Sequence, residues 1–313
     1  DGRRDRRPSR WLGDVYKRQT LDRPGWICRY TRIGGSLRSS ENLAYVAAGS
    51  TLTVFDIANP TIPVQLGTVN VPDRIYGMSV NANRAYLAAG LEGVQIVEVS
   101  RNESPSVTIV GLYPTPGQAV DVALIGTHVA ISNLMTGLEI VNLQTPQNPV
   151  HVATVETPGY QRAVQSTGNL AYVIDQPAGI HSFDLSDPTA PVSVGIHPAG
   201  RVPARNVAIE NTRGYVVYQQ TGLIEVVDIT SPSNPNLIGH YETTGRPEMI
   251  AADQTSIVIP KRDNGIEIVN LIDPTTPIVT TTYDTPGTAQ DIAIHGNYLL
   301  VADSQSVEIL RWR

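Results

Sequence analysis

The residues best able to bind something are cations: Arg74, Arg162, Arg201, Arg205, Arg246, Lys261 and Arg262. All seven fall in two classes of connecting segment. Those segments hold about 76 of the 275 residues from position 39 onward, so about three of the twelve cations there would land in them by chance. Arginine offers a planar, always-charged fork of donors. A set of them on converging loops suits a carboxylate, sulfate or phosphate group. Nine acids share the same segments, Asp73, Glu156, Glu242, Glu248 and Asp263 among them, so pairing within the protein is the competing use. Arg162, Arg205 and Arg246 lie closest to the strands that follow them and are expected to be the unpaired subset.

Carboxylates give a weaker signal. Asp121, Asn206 and Asp291 occupy equivalent places in their repeats and could hold a cation between them. Three ligands spread around a ring need extra help, so no metal and no cofactor is expected. A second recurring set, Asp56, Asn142, Asp184, Asp228 and Asn270, closes a strand just before a proline turn. A short acceptor there satisfies the free N–H groups of the turn, which is a structural task. The six histidines (128, 151, 181, 197, 240 and 295) sit in different repeats without ligand spacing. No nucleophile elbow, His-Glu-x-x-His, Walker loop or EF-hand spacing is present, and no catalytic residue is assigned.

Composition narrows the partners. Residues 1–38 carry eleven cations against four acids, whereas the remainder carries twelve against twenty-five, a net of −13. An acidic body argues against nucleic acid or an anionic membrane as partner. One cysteine, Cys28, excludes an intramolecular disulfide framework. No apolar run reaches the roughly 18 residues of a transmembrane helix. Residues 1–19 lack the apolar core of a signal peptide and look like translated sequencing-adapter read-through. They are expected to lie outside the fold as a non-native or disordered head, with the true N-terminus truncated. The fold is assigned to residues 20–313.

The elements that must position these residues come from a repeat. An apolar–polar–apolar–apolar–Asx–apolar phrase appears as Leu52-Thr53-Val54-Phe55-Asp56-Ile57 and again as Leu138-Glu139-Ile140-Val141-Asn142-Leu143. Its fifth positions are 56, 98, 142, 184, 228, 270 and 311, spaced by 42, 44, 42, 44, 42 and 41. A Pro-bounded turn such as Asn59-Pro60-Thr61-Ile62-Pro63 follows the first six copies; the second copy retains only Pro105. Proline fixes φ and cannot donate to a ladder, so these turns are strand ends. The alternating intervals point to duplication of a two-repeat unit of about 86 residues. Each repeat reads as four short strands; in the third copy they span residues 119–124, 128–131, 138–143 and 150–155. A period of about 40–45 residues with four strands is one blade of a β-propeller. The reading is therefore all-β, a seven-bladed β-propeller of four-stranded blades. Only six fourth strands follow the repeats, so closure by an N-terminal strand within residues 26–32 is predicted.

The phrase, its trailing Asx-Pro turn and the recurring Thr-Pro-Gly (115–117, 157–159 and 285–287) resemble the LVIVD repeat over roughly residues 40–313. Glu98, Ser182 to Asp184 and Arg311 depart from that pattern. The resemblance implies a bacterial or archaeal surface or secreted protein, extracellular, on the cell surface or periplasmic, and implies no catalytic residues. The functional expectation is a monomeric, non-enzymatic module that binds a protein, glycan or small anionic ligand on its loop face. The alternative is a propeller hydrolase or lyase working at the central channel mouth.

Overall fold

The computed structural model describes residues 27–29, 35–198, 203–262 and 265–313. They form seven antiparallel four-stranded sheets and no helix. Blades one to six follow the chain order, residues 35–70, 77–113, 121–155, 160–198, 206–242 and 251–283. Blade seven comprises Ala289–His295, Tyr298–Asp303 and Ser306–Arg311, with Ile27–Arg29 antiparallel to the last of these and Cys28 opposite Val307. The blade count and strand count follow the repeat. Boundaries differ from the sequence reading by one or two residues; in blade three the first strand is Asp121–Ile125.

The third strand of every blade is apolar on both faces because a neighbouring blade packs on each. Val54, Ile96, Ile140, Val226 and Ile268, on five of these strands, are buried in the interfaces that join blade to blade in seven core clusters. Side-chain burial between blades, at about 25 cal/mol per Å² of apolar area, is the main force holding the ring. The terminal Asx residues do what the local chemistry predicts. The Oδ1 atoms of Asp56, Asn142, Asp184, Asp228 and Asn270 accept the backbone N–H two residues on, at 2.8–3.0 Å. Hydrogen bonds from Ser186 and Thr230 hold the Asp184 and Asp228 carboxyls below the usual carboxylate range.

The turn then docks on the preceding blade. A Cβ added at Gly239, in the outer strand of blade five, would run into the carbonyl oxygen of Pro274 in the turn of blade six. Glycine there lets two backbones touch. The outer strand also shifts register against the third strand at one matching place in six blades, between Val226 and Val227 in blade five.

The second residue of each phrase is polar and mostly buried: Thr53, Gln95, Glu139, His181, Glu267 and Glu308 are all under 9% exposed. Such groups are as a rule hydrogen-bonded, although both ring nitrogens of His181 have no hydrogen-bond partner among the described residues. Glu139 accepts from Tyr113 and Asn133, and Glu267 from Tyr241 and Thr243, so tyrosines of one blade's outer strand reach carboxylates of the next.

Candidate functional site

The seven innermost strands surround the ring axis, and their starting residues line a cavity of about 250 Å³. Every blade contributes: Ser36 and Arg38, Arg74 to Gly77, Gln118, Val120 and Asp121, Arg162, Arg205 and Asn206, Glu248 and Met249, and Gln290 and Asp291. Leu134 enters from the hairpin between the second and third strands of blade three.

The two aspartates in this cavity are turned into the protein. Asp121 accepts the N–H of Val122 at 3.0 Å and, across the blade boundary, the N–H of Val164 at 3.0 Å. Asp291 accepts the N–H of Ile292 at 2.7 Å and that of Leu37 in blade one at 2.8 Å. Innermost strands have no ladder partner toward the axis, so these carboxylates satisfy N–H groups that would otherwise be orphaned. Arg38 adds an ion pair to Asp291 at 3.0 Å. Asn206 accepts from Val207 at 2.7 Å and turns its amide nitrogen to the sulfur of Met249. Gly77 leaves room for Asp121, since a Cβ there would meet its carboxylate. Burial pushes Asp121 up to about 6, against the pull of Arg38, the two N–H groups and Arg205. Burial likewise raises Asp291 despite Arg38. The three residues that the sequence put forward for a cation thus line the channel as inter-blade clamps. Among the described residues no three His, Cys, Asp or Glu side chains gather as a metal would need.

The cations divide into three groups. Arg74, Arg162 and Arg205 converge on the cavity. Arg162 has one hydrogen bond, from Nε to Gln176 at 3.3 Å, and Arg74 lies over the Tyr76 ring at 5.5 Å. Arg205 is half-buried, and among the described residues its guanidinium has no hydrogen-bonding or ion-pair partner. Burial lowers its pKa; Glu248 opposes the shift and the neighbouring Arg162 and Arg74 reinforce it. Lys261 and Arg262 form the second group. Lys261 is 7% exposed and pairs with Glu267 at 3.4 Å, while Arg262 pairs with Glu248. Of the remaining two, Arg246 is exposed and is not part of the lining, and Arg201 lies outside the described residues.

Sequence reasoning missed Arg38, counted with the basic head although it lies on the innermost strand Gly35–Ser40. Gln118, Gln290 and Tyr76 were missed too, because neutral residues carry no charge signal. Leu134 and Arg262 hold left-handed backbone, φ 51° and 57°, at the hairpin position where blade two has Gly90. A bulky residue there costs about 1 kcal/mol or more, a strain found where a side chain has a task. Only the spacing from Gly90 could have flagged them.

Four segments of the chain, residues 34–71, 158–197, 203–243 and 286–309, match the model of the LVIVD repeat. They fall on blades one, four, five and seven. No curated protein matches the sequence. Among solved structures, the β-propeller domain of Cps50 (Swd1) from Myceliophteria thermophila is 9% identical with a TM-score of 0.75, covering 93% of this chain and 99% of that one. A chain of the mitotic checkpoint complex is 9% identical, TM-score 0.71, covering 99% and 96%. The computationally designed Ika8 protein is 10% identical, TM-score 0.65, covering 90% and 97%. At such identities the likeness speaks for the fold alone.

Proposed function

We propose, from the premise that this chain is an LVIVD-repeat β-propeller, that it is a non-enzymatic binding module recognising an anionic group at the mouth of its central channel. The observation that carries this reading is Arg205. A half-buried guanidinium without a hydrogen-bond acceptor loses hydration and regains only the longer-range attraction of Glu248 and Asp121, a cost that an incoming anion removes. Arg74 and Arg162 beside it repel Arg205 and one another, so an anion placed among the three relieves that repulsion as well. The neighbouring carboxylates are already engaged: Asp291 by Arg38 and backbone N–H groups, Asp121 by the N–H groups of Val122 and Val164, and Glu248 by Arg262 and Gln219.

The test is calorimetric titration at low salt with succinate, sulfate and uronate oligosaccharides. Binding should be modest, should weaken as salt rises, and should be lost in the Arg74→Ala/Arg162→Ala/Arg205→Ala variant. Unchanged binding in that variant, or no anion bound by the native protein, overturns the reading. We further propose an extracytoplasmic location, on the strength of the family resemblance. A signal peptide in the full-length gene supports it, and a cytosolic start at once followed by the propeller refutes it.

A further inference from the structure

We propose that the occupant of this mouth is a protein segment, an extended peptide whose acidic side chain enters among the arginines while flanking apolar side chains rest on blades two to four. The inference rests on the anion-binding reading above. Its basis is an asymmetry in what surrounds the cavity. Leu91 and Met135 are 76% and 71% exposed, the two most exposed large apolar residues of the described chain. Both stand at tips of the same class of hairpin, on neighbouring blades, on the face where the cavity opens. Tyr76, 42% exposed, stands on the connection leading into blade two, and Tyr160, 52% exposed, begins the innermost strand of blade four.

These residues are contiguous with the cationic mouth. A Cβ at Gly90, the neighbour of Leu91, would meet the Tyr76 ring, and that ring in turn carries Arg74. Leu134, the neighbour of Met135, lines the cavity, and its carbonyl accepts the N–H of Gln161, the neighbour of Tyr160. By the register of the repeat, the place of Leu91 and Met135 is Gln220 on blade five, and the place of Tyr76 is Glu248 on blade six. One side of the mouth is therefore apolar and the other polar, and clustered exposed apolar side chains mark an interaction surface.

The occupant follows from size and charge. A small anion seated in about 250 Å³ leaves Leu91 and Met135 in water, because both stand out on loop tips and neither lines the cavity. Covering both requires a ligand that leaves the cavity and crosses two blades. Aliphatic side chains suit apolar side chains of a peptide better than sugar hydroxyls. The unpaired arginines supply the complementary charge for an Asp or Glu.

The experiment uses a fixed panel of fluorescein-labelled ten-residue peptides, each with one central Glu, flanked by Leu, Phe or Ser. Succinate serves as the small anion. Fluorescence polarisation and calorimetry are run on the native protein, on Leu91→Ser/Met135→Ser, and on the triple arginine variant. Both loop-tip changes are at exposed positions, and an unchanged melting temperature verifies folding. Apolar-flanked peptides should bind about tenfold more tightly than Ser-flanked ones, the size of effect expected for burying one large apolar side chain. The Leu91→Ser/Met135→Ser variant should lose that advantage and still bind succinate, whereas the arginine variant should lose both. Succinate binding with no effect of the flanks overturns the peptide assignment and leaves the anion reading standing. Loss of all anion binding by the native protein overturns both. A native dimer that becomes a monomer in the loop-tip variant would assign the surface to a second copy and overturn the inference.

Discussion

Asp121 couples the stability of the ring to the charge of the channel mouth. Its folded pKa is raised from 3.8 to about 6 by burial. Between those values the folded state holds a proton that the unfolded chain has released. The contribution of this group to stability is therefore greatest below about pH 4 and falls as pH rises through 6, by no more than about 3 kcal/mol. Urea unfolding from pH 4 to 7 should show this loss, and the slope should flatten in Asp121→Asn. Protonation also removes a negative charge beside Arg205, so anion affinity should rise as pH falls through 6. Asp291 allows a different check. Asp291→Asn places an amide where two N–H groups and Arg38 now find oxygen. The expected loss is about 1–3 kcal/mol, read as a lower urea midpoint with unchanged slope.

At the scale of the element, the close approach at Gly239 is the most exacting contact. Gly239→Ala should force the outer strand of blade five away from Pro274, at a cost of about 1–3 kcal/mol in unfolding free energy. A melting temperature equal to that of the native protein would contradict this. The strands and turns were legible in the sequence because their causes are local. Asp228 bonds Thr230 two residues on, and Pro232 ends its own strand. The partner of Gly239 lies 35 residues ahead in another blade, so no local pattern announces it. The same holds for the cations. Lys261 looked available until Glu267, brought back beside it by the hairpin, proved to be its partner. Arg38 looked like part of a basic head until its strand was seen to line the axis. Of the three arginines expected to be unpaired, the structure brings Arg162 and Arg205 to the cavity. Arg74 joins them there, while Arg246 stays outside, because closeness to a strand start in sequence does not settle the direction a side chain takes.

For the whole molecule, we propose that Ile27–Arg29, as the fourth strand of blade seven, clasps the ring, since it joins the chain's first described segment to its last. Removing residues 1–33 should then lower the melting temperature by several degrees, and more than removing residues 1–19 does. Equal tolerance of the two deletions would refute the clasp. The inner strands hold a further consequence. Ser36, Asp121, Asn206 and Asp291 recur every 85 residues at one position of the odd-numbered blades. The matching position of the even-numbered blades holds Gly77, Ala163 and Met249, spaced by 86, all of them unable to clamp a neighbour's N–H. Polar and non-polar types thus alternate around a circle of seven, and an odd circle cannot alternate perfectly. Two like members must meet once, and they meet where Asp291 faces Ser36. That junction is also where Arg38 joins the clamp. A lineage that grows by doubling two blades arrives naturally at an even number, so this ring carries a parity defect that can be moved but not removed. It sits beside blade seven, the one blade assembled from both ends of the described chain.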